Sequence, residues 1–207
     1  VLLSAIHIGF MGNLQRASGQ CADLMDSLES LTTIVNAGGV ISGVAGFAPA
    51  VCGNGITLAG NGFVSYSASA FNAPSGSVTM WVRKNATDYS GGLFQIGILG
   101  QSNSIGLAYE NDCDLIFKAF ALSGSAATIQ AGDSLSADTW MHCAAVWRRE
   151  EEETELWLFL DGRYVGYDRL YDMFDLSAGQ MQIGVSGVYG LANARIDELR
   201  FFSWRLT

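Results

Sequence analysis

The sequence predicts an all-β protein, an antiparallel β-sandwich with one short helix near its N-terminus. Short apolar runs recur along most of the chain, and turn clusters such as Gly60-Asn61-Gly62 and Ala178-Gly179 separate them. Glycine is abundant, at 25 of 207 residues, while charged residues make up only 15%. Many short strands joined by tight turns require such a composition, and the 49% of hydrophobic residues can fill a core between two sheets.

The stretch Thr139–Tyr167 predicts three consecutive strands at the centre of the fold. Residues 141–147 are largely apolar on both faces, the polar run 148–153 interrupts them, and 156–160 is apolar again. Asp161-Gly162 then separates two strand-like runs, and this dipeptide favours a two-residue hairpin turn. Strands that are apolar on both faces must be covered on both sides, so we expect this meander to lie inside a layered β structure.

The N-terminal part of the chain has a different pattern. Alternating apolar residues predict a first strand over Val1–Phe10. Apolar residues at helical spacing, with acidic residues opposite them, predict one short amphipathic helix over Gln20–Leu31. Residues 35–54 are rich in glycine, and we expect them to be irregular with at most a short strand near Val40–Val44.

A regular series of strands is predicted for the rest of the chain. Neither a linker nor an internal repeat is visible, so we expect one domain over residues 1–207, with 1–39 as its N-terminal extension. The predicted strands are Gly55–Leu58, Gly62–Ser67, Ser77–Arg83, Gly92–Leu99, Ser104–Tyr109, Leu115–Leu122, Ala127–Gln130, Trp140–Trp147, Thr154–Leu160, Arg163–Tyr167, Gln180–Val185 and Ala194–Trp204.

Charge and hydropathy exclude two classes of partner. The chain has a net charge of −9 and only two lysines, Lys84 and Lys118. Such a surface repels phosphate backbones, which argues against nucleic-acid binding. No apolar run reaches the length of a membrane span, so we expect no membrane insertion.

The cysteines do not indicate a metal centre. Cys21, Cys52, Cys113 and Cys143 are widely spaced, and the chain has no CxxC motif and only two histidines, so a zinc site is poorly supported. Four cysteines allow three complete pairings, and the sequence does not choose among them. Cys143 lies inside an apolar strand and is expected to be a buried free thiol.

Four stretches resemble, in order, the strands of the laminin-G-like, concanavalin A-like jelly roll. They are Gly53–Tyr66 (GNGITLAGNGFVSY), Ser77–Val82 (SVTMWV), Thr139–Val165 with its tryptophans and Asp-Gly turn, and Ala194–Leu206 (ARIDELRFFSWRL). Together they cover about residues 40 to 207. The resemblance implies two antiparallel sheets packed face to face, one of them concave, with the last strand pairing near the first.

The family includes retaining glycoside hydrolases, which the sequence does not match. Their two working carboxyl groups project from one face of a strand, about 5 Å apart. The run Glu150–Glu155 has alternating glutamates, but it follows two arginines at an expected hairpin turn, which favours solvated charge. Asp197 and Glu198 are adjacent and should point to opposite faces of a strand. We therefore predict a protein that is not an enzyme.

The resemblance also implies a structural calcium ion. In relatives, an aspartate of the final strand holds calcium together with backbone carbonyls of the early strands. Asp197 occupies that place, and its carbonyl partners are expected near Phe10 and Gly60. Hard cations prefer such oxygen ligands. The alternative is that Asp197 only accepts hydrogen bonds from neighbouring backbone.

Sugar recognition needs aromatic rings for the apolar face of the sugar and polar groups for its hydroxyls. Loop tyrosines with polar neighbours meet both needs, whereas the five tryptophans lie in strands and are expected to pack in the core. The candidate ligand-binding residues are Tyr89, Tyr109, Asn111, Asp112, Tyr189 and Asn193.

These observations predict a non-catalytic binding module for glycan recognition or adhesion, displayed on a secreted, cell-surface or virion protein. Its partner would be a glycan or a surface protein. The alternative is a structural virion protein, such as a capsid decoration or tail component, that uses the sandwich for protein–protein contacts. In that case the N-terminal segment would dock the assembly partner.

Overall fold

The computed structural model describes residues 24–67, 74–85, 90–110, 114–132, 134–172, 176 and 179–206. The predicted strand Val1–Phe10 lies outside them, as do Cys21 and Cys113. One helix, α1, spans Leu31–Asn36. The strands are β1 Leu24–Asp26, β2 Gly39–Pro49, β3 Asn54–Tyr66, β4 Gly76–Lys84, β5 Gly91–Ile96, β6 Ser104–Glu110, β7 Asp114–Phe120, β8 Ala126–Ala131, β9 Trp140–Glu150, β10 Glu153–Leu160, β11 Arg163–Leu170, β12 Met181–Ile183, β13 Val185–Ser186, β14 Gly190–Leu191 and β15 Asn193–Phe202.

The strands form an antiparallel sandwich in the order β11-β10-β9-β4-β15-β3-β12-β5-β6-β7-β8. β3 joins the two layers, because Ile56–Ala59 pair with β15 while Val64–Tyr66 pair with β12. The other two edges meet where the N–H of Thr128 in β8 donates to Asp168 Oδ2 in β11 at 2.6 Å. The predicted all-β jelly-roll sandwich is thus confirmed, and the last strand pairs with early strands as the resemblance implied.

The core lies between the two layers and is filled by alternate residues of each strand. Trp147 packs on Phe201 with ring centroids 6.1 Å apart, and Phe94 packs on Phe117 at 6.5 Å. Cys143 faces this core as a buried free thiol, as predicted, and burial raises its pKa. The inner faces of β9 and β10 therefore account for the apolar runs of the central meander.

The predicted helix is in the wrong place. Instead of a helix over Gln20–Leu31, the described part of that range contains β1, which pairs with β15. Asp26 is buried, and its carboxylate accepts hydrogen bonds from the N–H of Leu28 at 2.8 Å and from the hydroxyl of Tyr66 at 2.7 Å. Leu28 has a positive φ of 56°, which a helix does not allow. Pairing with β15 therefore outweighs the helical periodicity.

The helix begins after Ser30, later in the chain. Ser30 and Thr33 form a capping box, in which each side chain accepts from the other residue's backbone N–H at 3.2 Å. Within the described residues, no helix is long and apolar enough to cross a membrane.

The glycine-rich segment before β3 is also more regular than predicted. It forms β2, which runs for 11 residues and pairs with β3 from Gly39 to Pro49. The small residues of this segment have a low strand propensity of their own. They nevertheless form a strand because β3 supplies partners for their backbone hydrogen bonds.

Candidate functional site

One end of the sandwich holds three of the predicted ligand-binding residues. Tyr109 lies in β6, Asn193 begins β15, and Tyr189 lies in the turn between β13 and β14. The Tyr109 ring is fully buried, and its hydroxyl accepts a hydrogen bond from the backbone N–H of Asn193 at 3.0 Å. Tyr109 therefore positions Asn193 and does not offer its ring to a ligand.

Asn193 is also tied to the end of β4. Its carbonyl oxygen accepts from the backbone N–H of Asn85 at 3.1 Å, and its side-chain oxygen accepts from the Asn85 amide. The preceding residue, Lys84, is fully buried, with its Nζ 5.9 Å from the centre of the Tyr109 ring. A cation at this distance is attracted to the ring face. The ends of β4, β6 and β15 are thus held together beneath this surface.

The β13–β14 turn presents Tyr189 and is anchored at two points. Ser186 Oγ accepts from the N–H groups of Val188 at 3.2 Å and Tyr189 at 3.3 Å. The buried Gln95 side chain in β5 accepts from the N–H of Gly187 at 2.9 Å. These contacts fix the turn through its own backbone, and they leave Val188 exposed and Tyr189 partly exposed.

The groups around Tyr189 are mostly polar. Ser90 Oγ donates to the Tyr189 carbonyl at 3.4 Å. Burial, and then the negative charge of the Glu110 carboxylate, raise the pKa of the Tyr189 hydroxyl. We call the surface formed by Asn85, Ser90, Glu110, Tyr189 and Asn193 the Tyr189 rim. It offers an aromatic ring together with hydroxyl, carboxylate and amide groups.

The other three candidate residues, Tyr89, Asn111 and Asp112, lie outside the described residues. Their neighbours in the chain, Ser90 and Glu110, belong to the Tyr189 rim. A role for Tyr89, Asn111 and Asp112 in ligand binding stays a prediction.

Asp197 lies away from this rim and holds a loop in place. Its side chain is fully buried. One carboxylate oxygen accepts from the N–H of Cys52 and the other from the N–H of Glu198, both at 2.9 Å, and the N–H of Val51 also bonds to it. Burial outweighs these hydrogen bonds and raises the pKa of Asp197 to about 6. Asp197 therefore anchors residues 51–52 on β15.

The described residues do not fit the predicted calcium site. Calcium takes six to eight oxygen ligands, whereas the groups around the Asp197 carboxylate are N–H donors. The N–H of Gly60 donates to the carbonyl of Ala192, which lies just before β15 and five residues from Asp197, about 16 Å away at the rise of a strand. Phe10 lies outside the described residues. The structure therefore does not bring Asp197 and Gly60 together as the resemblance implied.

Glu150, Glu151 and Glu152 are exposed, as predicted for solvated charge, but Glu155 at the end of the run is an exception. Glu155 is buried on the outer face of β10 and accepts from Arg148 at 2.6 Å and from the Tyr167 hydroxyl at 2.9 Å. Burial raises its pKa, but these hydrogen bonds more than offset that effect and the pKa is lowered. A general acid requires the opposite shift, so Glu155 does not suit the role of a hydrolase's general acid.

The outer face of the β10–β11 hairpin carries aromatic residues that are not among the predicted ligand-binding residues. Tyr164, Tyr167 and Tyr171 expose 60%, 38% and 75% of their surface. We call these three residues the tyrosine row. Trp157 is only partly buried beside Tyr167, in contrast to the core packing expected for the tryptophans in general. The alternation of Tyr167, Arg169 and Tyr171 was the available signal, because alternate residues share one face of a strand.

Solved structures of other proteins share this fold at low sequence identity. Domain 4 of AbnA, a GH43 extracellular arabinanase from Geobacillus stearothermophilus, in complex with arabinotriose, matches with a TM-score of 0.68 and 17% identity over 90% of this chain and 94% of that chain. The CBM40 of the Ruminococcus gnavus IT-sialidase, bound to alpha2,3 sialyllactose, matches with a TM-score of 0.59 and 12% identity over 90% and 95%.

The botulinum neurotoxin type G receptor binding domain matches with a TM-score of 0.64 and 11% identity, over 91% of this chain but only 49% of that one. At these identities the three likenesses show a shared fold. No curated protein matches the sequence. The family model Laminin_G_3, described as the Concanavalin A-like lectin/glucanases superfamily, matches residues 58–207. This chain belongs to that family.

Proposed function

We propose that this chain is a non-catalytic glycan-binding module and that its Tyr189 rim contacts the sugar. The observation that carries the proposal is the placement of a partly exposed aromatic ring among hydroxyl, carboxylate and amide groups on an anchored turn. A sugar presents both C–H faces and hydroxyls, so it needs such a mixed surface. Anchoring also lowers the entropic cost of binding, because the turn is ordered beforehand.

The structural neighbours support the choice of ligand. Two of them were solved with arabinotriose and with sialyllactose, and one of the parent proteins is an extracellular enzyme. We accordingly propose an extracellular location, on a secreted, cell-surface or virion protein. Support for a protein without catalytic activity comes from the lowered pKa of Glu155 and the backbone-bonded carboxylate of Asp197.

A glycan array tests the proposal, run once in millimolar calcium and once in chelator. We expect binding to a defined sugar class, weakened about tenfold or more by Tyr189→Ala, because a stacked ring and its hydroxyl contribute on the order of 1–2 kcal/mol. Val188→Ala is the matched control, since it truncates an exposed neighbour in the same turn. If wild type and Tyr189→Ala bound equally well, the sugar would not be bound at the Tyr189 rim. If folded protein bound no sugar on the array, the proposed function would be rejected.

A second candidate function is assembly with a protein partner, as in a capsid decoration or tail component. It is favoured by exposed apolar residues on β2, where Val40 and Val44 are 63% and 64% exposed, and on α1, where Val35 is 56% exposed. Within the described residues, β2 pairs only with β3, so its other edge is open to a further strand.

Light scattering after size exclusion tests the assembly candidate. If β2 mediates self-association, wild type should elute as an oligomer and Val44→Lys as a monomer, because a charge on an edge strand blocks strand addition. A monomeric wild type at high concentration would count against self-assembly.

A further inference from the structure

The tyrosine row follows β11 on the outer face of the sandwich, and Tyr171 comes directly after the last residue of that strand. Tyr167 is opposite Trp157 and Tyr164 is opposite Phe159 in the β10–β11 register, with ring centroids 5.6 and 6.0 Å apart. A bulge at this point inserts one extra residue in β11, so Tyr164 and Tyr167 share a face despite their odd spacing. Monomeric proteins seldom expose several large rings side by side unless that surface binds something.

The rings are held by the charged residues between them. The Tyr167 hydroxyl donates to Glu155 at 2.9 Å and accepts from Arg169 Nε at 2.7 Å. The Arg169 guanidinium lies 5.7 Å from the centres of both the Tyr167 and the Tyr171 rings. This surface is therefore ordered before any ligand arrives, which reduces the entropy lost on binding.

Trp157 forms the base of this surface and is not a contact itself. Arg205, near the end of the described chain, lies 4.1 Å over the Trp157 ring, and Tyr167 packs on the same residue. Arg205 is positioned by its neighbour Leu206, whose N–H donates to Ser77 Oγ at 3.0 Å. The rings free to meet a ligand are those of the tyrosine row.

The charges beside the row argue against an anionic ligand. Arg169 pairs with Glu153 at 3.2 Å, and Arg148 pairs with Glu150 at 2.8 Å and with Glu155 at 2.6 Å. These arginines are thus neutralised by their own neighbours and offer no free positive site. Beyond Tyr171 lies an open hollow of about 840 Å³ that is lined by Tyr171 and by Glu150, Glu151, Glu152 and Glu153.

We propose that the tyrosine row binds an uncharged polysaccharide lengthwise, with the chain running along β11 towards this hollow. The rings would contact the apolar faces of successive sugars, and the glutamates would accept hydrogen bonds from sugar hydroxyls. Carboxylated or sulfated polymers are disfavoured by these glutamates and by the net charge of −9. β11 has 8 residues and is about 26 Å long, which suits a polymer and not a short oligosaccharide.

The inference rests on the proposed function, because it names a second glycan surface apart from the Tyr189 rim. It also assigns a ligand class. Short sugars would bind at the rim alone, while long uncharged chains would gain contacts with the tyrosine row. Several weak contacts along one chain raise its affinity without any single strong site.

Affinity gel electrophoresis with soluble polymers tests it. The gels contain linear arabinan, xylan or mixed-linkage β-glucan as uncharged probes and alginate as an anionic one. We expect wild type to be retarded by at least one uncharged polymer and not by alginate. The double variant Tyr164→Ala/Tyr171→Ala should weaken that retardation about tenfold or more, with an unchanged melting temperature because both rings are exposed.

Two controls separate the possible failures. Met25→Ala removes an exposed apolar side chain on β1, which belongs to neither proposed surface, and should behave as wild type. The double variant should keep its binding to short sugars on the glycan array. If the double variant were retarded as strongly as wild type, or if alginate alone retarded the protein, the tyrosine row would not bind an uncharged polysaccharide. The proposal of a glycan-binding module would still stand. Wild type that binds nothing on either the array or the gels would overturn the proposed function as well.

Discussion

Gly92→Ala is expected to lower the free energy of unfolding by about 3 kcal/mol or more, which is a fall of about 10 °C in melting temperature for a protein of this size. A β-carbon at this position in β5 would lie 2.2 Å from the Val185 carbonyl carbon and 2.3 Å from the Ser186 nitrogen. Both atoms are backbone atoms, so the clash can be relieved only by moving β13. We therefore expect the turn that carries Tyr189 to shift and sugar binding at the Tyr189 rim to weaken.

Gly46→Ala is the matched control for that experiment. No atom lies within 4 Å of a β-carbon built on Gly46, and the residue lies in the exposed strand β2. Alanine restricts the unfolded chain more than glycine does, so we expect a neutral result or a gain of about 0.5 kcal/mol. Thermal unfolding of both variants measures the contrast. A Gly92→Ala protein as stable as Gly46→Ala would show that β13 does not pack closely on β5.

Asp197→Ala is expected to destabilise the protein most at low pH. In the folded state the pKa of Asp197 is raised to about 6, while an unfolded aspartate titrates near about 3.9. A group whose pKa is raised by folding contributes stability below its unfolded pKa and loses that contribution as pH rises through the folded pKa. The difference between wild type and Asp197→Ala should thus shrink by about 2 kcal/mol between pH 4 and pH 7.

Denaturant unfolding of both proteins across that pH range, in chelator, measures this difference. The other titrating groups are common to the two proteins and cancel. The variant should also become more sensitive to proteolysis near Cys52, because Asp197 accepts the N–H groups that hold this loop. If the difference in free energy of unfolding between wild type and Asp197→Ala grew with pH, the pKa of Asp197 would not be raised in the folded protein. If that reversal appeared only after calcium was added, Asp197 would be a calcium ligand after all.

The strands of the sandwich could be read from the sequence because their signals are local. Alternating side chains and the Asp161-Gly162 turn predicted β9, β10 and β11, and the family resemblance predicted their place in a jelly roll. The details that failed depended on partners distant in sequence. Leu24 and Asp26 lie in a strand because β15 is beside them, and the glycines of β2 are extended because β3 pairs with them.

In the candidate site, too, some features follow from local sequence and others from residues distant in the chain. Sequence alone singled out Tyr109, Tyr189 and Asn193 as polar and aromatic residues of neighbouring turns. Their different roles follow from packing: Tyr109 is buried and its hydroxyl holds Asn193, while Tyr189 stays at the surface. No local pattern distinguishes a tyrosine that supports a site from one that contacts a ligand, because the difference lies in which other strands cover it.

Residue type and spacing were therefore enough to establish the fold class, the family resemblance and the acidic surface. They could not establish that Asp197 bonds to a loop more than 140 residues earlier, or that Tyr164, Tyr167 and Tyr171 line one open face. Those features arise when β15 returns to the early strands and when a bulge in β11 changes which face its side chains occupy. Such long-range pairings are decided by the free energy of the whole sandwich, which no single segment encodes.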